Sequence, residues 1–219
     1  MYVGRIVCVG RNQAGALCVS YRVSSRSFPN RQAVLTDGGA AIVPKPGHEG
    51  DVQKNPYIAY NCLRIVLKGA VAVISNGSHT DPIAEKIDAG TPPRDALALS
   101  LMALDYEKDA YDTPRLAAVA DTRGDSSGWL GVVRKDGVEV RRMPMKETWC
   151  FFVATYERNS ISMDLTDSFT AATAQEACEA ILGRGVFGNF TNPVSAVAAM
   201  QQGKGFEAAI LDAPGETSP

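Results

Sequence analysis

Histidine is almost missing from this chain: 219 residues hold two, His48 and His79. So thin a supply gives little support to a His/Cys metal site. The five cysteines, at 8, 18, 62, 150 and 178, are an odd number, form no C-x-x-C pair, and four of them lie within apolar stretches. Buried, reduced thiols in a cytosolic protein are expected, not a disulfide framework. No apolar run approaches membrane-spanning length, and the start, MYVGRIVCVG, is too short and strand-like for a signal peptide. An excess of charge is missing too. The formal net charge of −2 argues against bulk electrostatic capture of nucleic acid or of an anionic membrane. There is no Gly-rich phosphate loop, low-complexity tract or repeat. What remains is an ordinary globular composition, 45% hydrophobic and 21% charged, long enough for one large core.

The apolar patterning orders that core. YVGRIVCVG and ALCVSYRVSS, split by RNQAG, predict a β-hairpin. AAIVP and the pair NCLRIVLKG and AVAVISNG continue it, with a turn at Lys68-Gly69. From Asp81 the period changes: Ile83, Ala84 and Ile87 mark one short helix, and Pro92-Pro93 open a second with a broad Leu-rich face. RLAAVAD, GWLGVVRKDG, VEVRRMP and TWCFFVATYE return to strands, two of them joined by a Lys-Asp-Gly turn. AATAQEACEAILG and NPVSAVAAMQQG are expected as two more helices, and FEAAIL as a closing strand. Runs of strands separated by helix pairs predict an α+β fold, a four-layer helix–sheet–sheet–helix sandwich. One domain is expected over residues 1–211, with a polar, frayed tail over 212–219.

Four stretches gather polar groups at the ends of apolar elements, where a rigid scaffold holds binding residues. The first is YRVSSRSFPNR, residues 21 to 31, with three arginines, three serines and an asparagine. Its serines could hydrogen-bond phosphate oxygens and its arginines could pair with them bidentately. The others are NPYIAYN (55 to 61), SNGSHTD (75 to 81) and DYEKD (105 to 109). Each has a plainer reading: solvated arginines in a turn, an N-cap from Ser78 or Thr80, a solvated carboxylate at Glu107, a half-buried Tyr60. From the residues alone the expectation is a small anionic ligand, with no reaction named.

The strings MYVGRIVCVGRN, YRVSSRSFPNR, GHEGDVQKNPYIAYN, SNGSHTD and ALDYEKDAYDTPR, in this order and spacing, resemble the archaeal-type inosine monophosphate (IMP) cyclohydrolase family. The resemblance runs through roughly the first 115 residues. It implies the αββα fold of the N-terminal nucleophile hydrolases without that class's mechanism, since Tyr2 after Met1 is no Ser, Thr or Cys nucleophile. It also implies closure of the purine ring of 5-formamidoimidazole-4-carboxamide ribonucleotide to IMP and water, with no metal and no cofactor. On this resemblance Tyr60 and Glu107 form the proton-transfer pair. Arg22 is the charge-stabilising donor, and Asn76 and His79 orient the reacting groups. Ser24, Ser25, Arg26, Ser27, Asn30 and Arg31 face the phosphate, and Tyr57, Asn61, Gly77, Ser78 and Asp105 complete the substrate contacts. A cytoplasmic homo-oligomer such as a tetramer is implied, with a ribonucleotide as partner and neither nucleic acid nor membrane. Two other readings stay open: a related ribonucleotide amidohydrolase that cleaves instead of closing, and a nucleotide-binding module without chemistry.

Overall fold

The computed structural model describes residues 1–214. The first hairpin forms as the alternation requires, from β1 (Ile6–Arg11) and β2 (Leu17–Ser24). Every residue of β2 is buried, because both of its faces are covered. Val19, Tyr21 and Val23 enter one apolar cluster, while Cys18 on the other face enters a second. The neighbours of this hairpin come from the far end of the chain. They are β10 (Trp149–Ala154), β11 (Thr166–Ser168), β12 (Pro193–Gln202) and β13 (Gly205–Asp212), in the antiparallel order β11-β10-β1-β2-β12-β13.

The second sheet is antiparallel in simple chain order. Its strands are β3 (Arg31–Thr36), β4 (Gly39–Pro44), β5 (Tyr60–Val66), β6 (Val71–Ser75), β7 (Arg115–Asp121), β8 (Ser127–Arg134) and β9 (Gly137–Met143). The turn between β5 and β6 carries Leu67, Lys68 and Gly69 at positive φ (53°, 56° and 93°), the left-handed backbone of a tight hairpin. A one-turn helix α1 (Asp51–Lys54) and a 3₁₀ turn (Pro56–Ile58) precede β5. Helices α2 (Thr80–Asp88) and α3 (Pro93–Leu104) follow β6, and α4 (Ala174–Gly183) with a 3₁₀ turn (Gly185–Asn189) follows β11.

Three apolar clusters set the layers. Val7, Tyr21, Val197 and their neighbours meet Ile42, Leu63, Ile74 and Leu130 between the sheets. Cys8, Phe152, Ala196 and Ala198 pack outward on Cys178 and Ile181 of α4. Val71, Val73 and Val119 pack outward on Ile83 and Ile87 of α2 and Leu97 of α3. The order is helix, sheet, sheet, helix, an α+β sandwich. All five cysteines are free and buried. Among the described residues no helix is long and apolar enough to cross a membrane.

Three expectations need correction. NPVSAVAAMQQG is strand β12, not a helix. Alanine favours helices in isolation, but Val197 and Ala199 face the core between the sheets while Ala196 and Ala198 face α4. Period-two burial between two strands overrides the propensity. The edge strand β3 and the short polar β11 were not foreseen. Asp212, assigned to the tail, belongs to β13, where it pairs with Ser195 and its Oδ1 accepts a hydrogen bond from the Ala33 amide at 3.2 Å. Residues 215–219 of the expected tail lie outside the described residues.

Candidate active site

Glu107 is carried by the loop that leaves α3. Asp105 ends the helix at φ 56°, and the chain then turns back. Asp109 pins the turn, its Oδ1 accepting the amides of Tyr111 (3.1 Å) and Thr113 (2.9 Å) and its Oδ2 the Thr113 hydroxyl (2.7 Å). The Glu107 amide donates to Thr113 O at 2.9 Å. This leaves a carboxylate only 1% exposed. A charge so buried needs partners. Arg5, just before β1, supplies them: Nη1 donates to Oε1 at 3.0 Å and Nη2 to Oε2 at 2.7 Å. Arg5 Nη1 also donates to Asn76 O at 3.1 Å. The Arg115 guanidinium stands 3.9 Å from Oε1, its Nε donates to Asp105 O at 2.8 Å, and it lies 5.6 Å from the centre of the Tyr57 ring. Two guanidinium groups against one carboxylate leave this corner positive.

It opens into a cleft. Glu107, Asp109 and Tyr111 line it from one part of the chain, Ser25, Ser27, Phe28 and Arg31 from another, Asn55, Tyr57 and Ile58 from a third, and Arg5 joins them from just before β1. The Ser25–Arg31 loop is held by its own polar groups. Ser25 Oγ accepts the Phe28 amide at 3.0 Å, and Arg31 Nε donates to Phe28 O at 3.1 Å. Tyr60 lies deeper, its hydroxyl 2.6 Å from that of Tyr21. Burial raises the pKa of both phenols, while Arg5 and Arg31 act on both in the opposite sense. Both hydroxyls therefore stay protonated near neutral pH.

The cleft thus gathers Ser25, Ser27, Arg31, Tyr57 and Glu107 of the expected residues, with Tyr60 next to Arg5 and Arg31. Arg26 is exposed, its guanidinium 3.8 Å from the centre of the Tyr2 ring, and lines two adjoining hollows, one of them with Asn30 and Lys45.

Arg22 and Ser24 do not join them. Along β2 they alternate with Tyr21 and Val23, so they point away from the inter-sheet core. Arg22 is fully buried there. It donates to the carbonyls of Leu182 and Phe187 at 3.0 Å, Phe190 at 2.6 Å and Thr191 at 3.2 Å, and its Nε donates to Ser24 Oγ at 2.9 Å. Burial brings its pKa down to about 10, so it remains a cation at neutral pH, sealing the end of α4. Asn61 points at α2, with Nδ2 3.2 and 3.1 Å from the Asp81 carboxylate oxygens.

Asn76 and His79 are tied to backbone. Asn76 Nδ2 donates to Pro114 O at 2.9 Å and its Oδ1 accepts the Leu116 amide at 2.7 Å, which ties the end of β6 to β7. His79 Nε2 lies 2.8 Å from Leu116 O. Burial, reinforced by Arg115, brings its pKa down to about 3. It is therefore neutral at pH 7, with Nε2–H donating. Gly77 is a packing requirement: a Cβ there would stand 2.8 Å from Arg115 Nη1 and 3.3 Å from His79 Nδ1. Ser78 is exposed, and the half-exposed Asp105 carboxylate pairs with Lys108 at 2.5 Å.

Arg5, Tyr21, Asn55, Asp109, Tyr111 and Arg115 were not foreseen. For Arg5 and Arg115 a signal existed: each stands immediately before an apolar run, residues 6–9 and 116–120, where a buried charge demands a partner. Among the described residues, no group of three His, Cys, Asp or Glu side chains comes together to hold a metal ion.

The chain is similar to proteins named IMP cyclohydrolase from three archaea. It is 47% identical to that of Methanocella arvoryzae over 215 residues, 98% of this chain and all of the other. It is 46% identical to that of Methanosphaera stadtmanae over 202 residues, 92% of this chain and 95% of the other. It is 41% identical to that of Halobacterium salinarum over 215 residues, 98% of this chain and all of the other. A family model described as IMP cyclohydrolase-like protein matches residues 2–205, every strand but β13 and every loop that lines the cleft, and the chain belongs to that family.

Proposed function

We propose that this chain closes the purine ring of 5-formamidoimidazole-4-carboxamide ribonucleotide, giving IMP and water. Likeness to the IMP cyclohydrolases over nearly the full length carries the reading. The cleft supports it with a positive corner for an anionic substrate, a fixed carboxylate and a protonated phenol. The two antiparallel sheets between helices also suit the N-terminal nucleophile hydrolase type of sandwich.

The carboxamide nitrogen attacks the formyl carbon of the same molecule, so the first task is to hold the formyl group in a near-attack rotamer. An amide nitrogen is a poor nucleophile and must lose a proton as the bond forms. The formyl oxygen gains negative charge and needs fixed donors. Tyr60 and Glu107 form the proton-transfer pair. Arg5 takes the charge-stabilising role expected of Arg22. Its bonds to Glu107 and Asn76 leave Nε–H and one Nη2–H uncommitted among the described residues. The bidentate pair leaves Glu107 further lone pairs for a substrate proton.

The test is a spectrophotometric ring-closure assay on purified protein, before and after exhaustive chelation. IMP should form at the same rate in both. Release of formate without IMP would identify a hydrolytic relative, and tight IMP binding without turnover a binding module.

Phosphate recognition is assigned to the 25–31 loop, where Arg26 and Arg31 flank the cleft. Either arginine changed to alanine removes a charged hydrogen bond, a loss of about 1.5–3 kcal/mol. KM should rise roughly 10- to 100-fold, with kcat changed much less. Unaltered IMP affinity in both variants, measured by calorimetry, would take the phosphate elsewhere.

A further inference from the structure

The phenols of Tyr21 and Tyr60 bring two protons to one hydrogen bond. Their oxygens are 2.6 Å apart, and neither bonds to anything else among the described residues. One proton lies between the oxygens, so the other must point elsewhere. Burial decides which. Tyr21 is 0% exposed, flanked on its neighbouring strands by Val7 and Val197, whereas Tyr60 is 8% exposed. If Tyr60 were the donor, the Tyr21 proton would end in an apolar core without an acceptor, an arrangement that buried hydroxyls avoid. If Tyr21 is the donor, Tyr60 keeps its own proton for the side where Arg5 and Arg31 line the cleft. Arg5, the charge-stabilising donor, draws the developing oxyanion to the same place, and that oxygen accepts the Tyr60 proton.

We propose that Tyr21 is a positioning residue for ring closure: it donates its hydroxyl proton to Tyr60 Oη and so commits Tyr60 to donate toward the formyl oxygen. The proposal rests on the ring-closure reading and fixes its direction, with Tyr60 as proton donor and Glu107 as acceptor. The protons balance. As the C–N bond forms, the carbonyl electron pair moves to oxygen, which takes the Tyr60 proton, while Glu107 takes one from the attacking nitrogen. In the elimination the hydroxyl leaves as water with the proton held by Glu107, and the proton of the former formamide nitrogen returns to Tyr60. Between the two steps Tyr60 is a phenolate, and the Tyr21 hydroxyl stabilises it. The electrostatics have the same sense. Burial raises both phenols, and the bond they share pulls Tyr60 back down while pushing Tyr21 further up.

A double-mutant cycle tests this, with kcat, KM and Tm measured for each protein. Tyr60→Phe should lower kcat about 10²-fold. Tyr21→Phe should lower it about 10-fold, with KM nearly unchanged in both. Because Tyr21 acts only through Tyr60, adding Tyr21→Phe to Tyr60→Phe should cost almost nothing more. A double variant that loses the product of the single losses, or a Tyr21→Phe enzyme as fast as wild type, overturns the proposal alone. Wild-type turnover in Tyr60→Phe overturns both the proposal and the assignment of Tyr60. A wild-type protein that never forms IMP overturns the function, and the proposal with it. Should Tyr21→Phe fail to fold, 4-fluorophenylalanine at position 21 fills the hydroxyl volume without donating, and the same cycle decides.

Discussion

Replacing Glu107 by glutamine should lower kcat about 10³-fold, within the range for loss of a positioned proton acceptor. The amide keeps the shape of the carboxylate and gives up its charge. It can no longer take the carboxamide proton, and it can no longer receive both forks of Arg5, whose Nη1 and Nη2 now end on Oε1 and Oε2. Arg5→Ala should be nearly as damaging. It removes a donor for the developing oxyanion and leaves Glu107 buried with Arg115 as its nearest cation, at 3.9 Å. Since each residue holds the other in place, the double variant should lose far less than the product of the two single losses. Steady-state kinetics of the three variants measures this. Two single variants within a few-fold of wild type would reduce the ion pair to a structural link between the start of β1 and the loop after α3.

Arg22 is expected to behave in the opposite way. Arg22→Met keeps much of the buried stem and withdraws the guanidinium from the carbonyls of Leu182, Phe187, Phe190 and Thr191. Each buried acceptor left unsatisfied costs about 1–3 kcal/mol, although some will find water or relax. A net loss of about 3–5 kcal/mol is expected, like the breaking of other buried charged networks. In a chain of this length that corresponds to a fall in Tm of roughly 6–20 °C. The folded fraction should still close the ring at nearly the wild-type rate, because the guanidinium and Glu107 lie on different faces of the first sheet. A variant with normal Tm and collapsed kcat would return Arg22 to the chemistry. Calorimetry and kinetics on the same preparation separate the two outcomes.

The contrast between Arg5 and Arg22 marks what the sequence could show of this site. Both are arginines in apolar strands beside residues that suit a nucleotide pocket. The character of YRVSSRSFPNR as a donor-rich segment was legible, and so was the loop bearing Glu107. Which way each side chain faces was not, because that depends on the partner sheet: Tyr21 turns to the core between the sheets and Arg22 to α4. The backbone contacts of the Asn76 and His79 stretch were hidden for a related reason. Its polar groups serve the backbone of β7, a strand some forty residues further on, and no local pattern announces that debt. Most strands and the helices α2, α3 and α4 were legible from period and turn chemistry. β12 was not, because an alanine-rich segment reads as helix until two neighbouring strands bury it.

The first sheet also bears on how the chain is made. Its centre is the hairpin β1–β2, made before every other strand of the two sheets, yet the strands on either side of it are β10 and β12. A nascent chain that has reached Met143 holds every strand of the second sheet, each pairing with its neighbour in sequence. The hairpin meanwhile has two unpaired edges, and its Arg22 still lacks the carbonyls of residues 182 to 191. Long-range pairings of this kind are slow to form and leave edges open to other chains. Arg5 and Glu107 can meet as soon as residue 107 has emerged, but the sheet that steadies Arg5 is closed only by the final strands. Crowded polysomes are therefore where this fold is most exposed to pairing with a neighbour, and catalytic competence arrives only once β12 and β13 have been made.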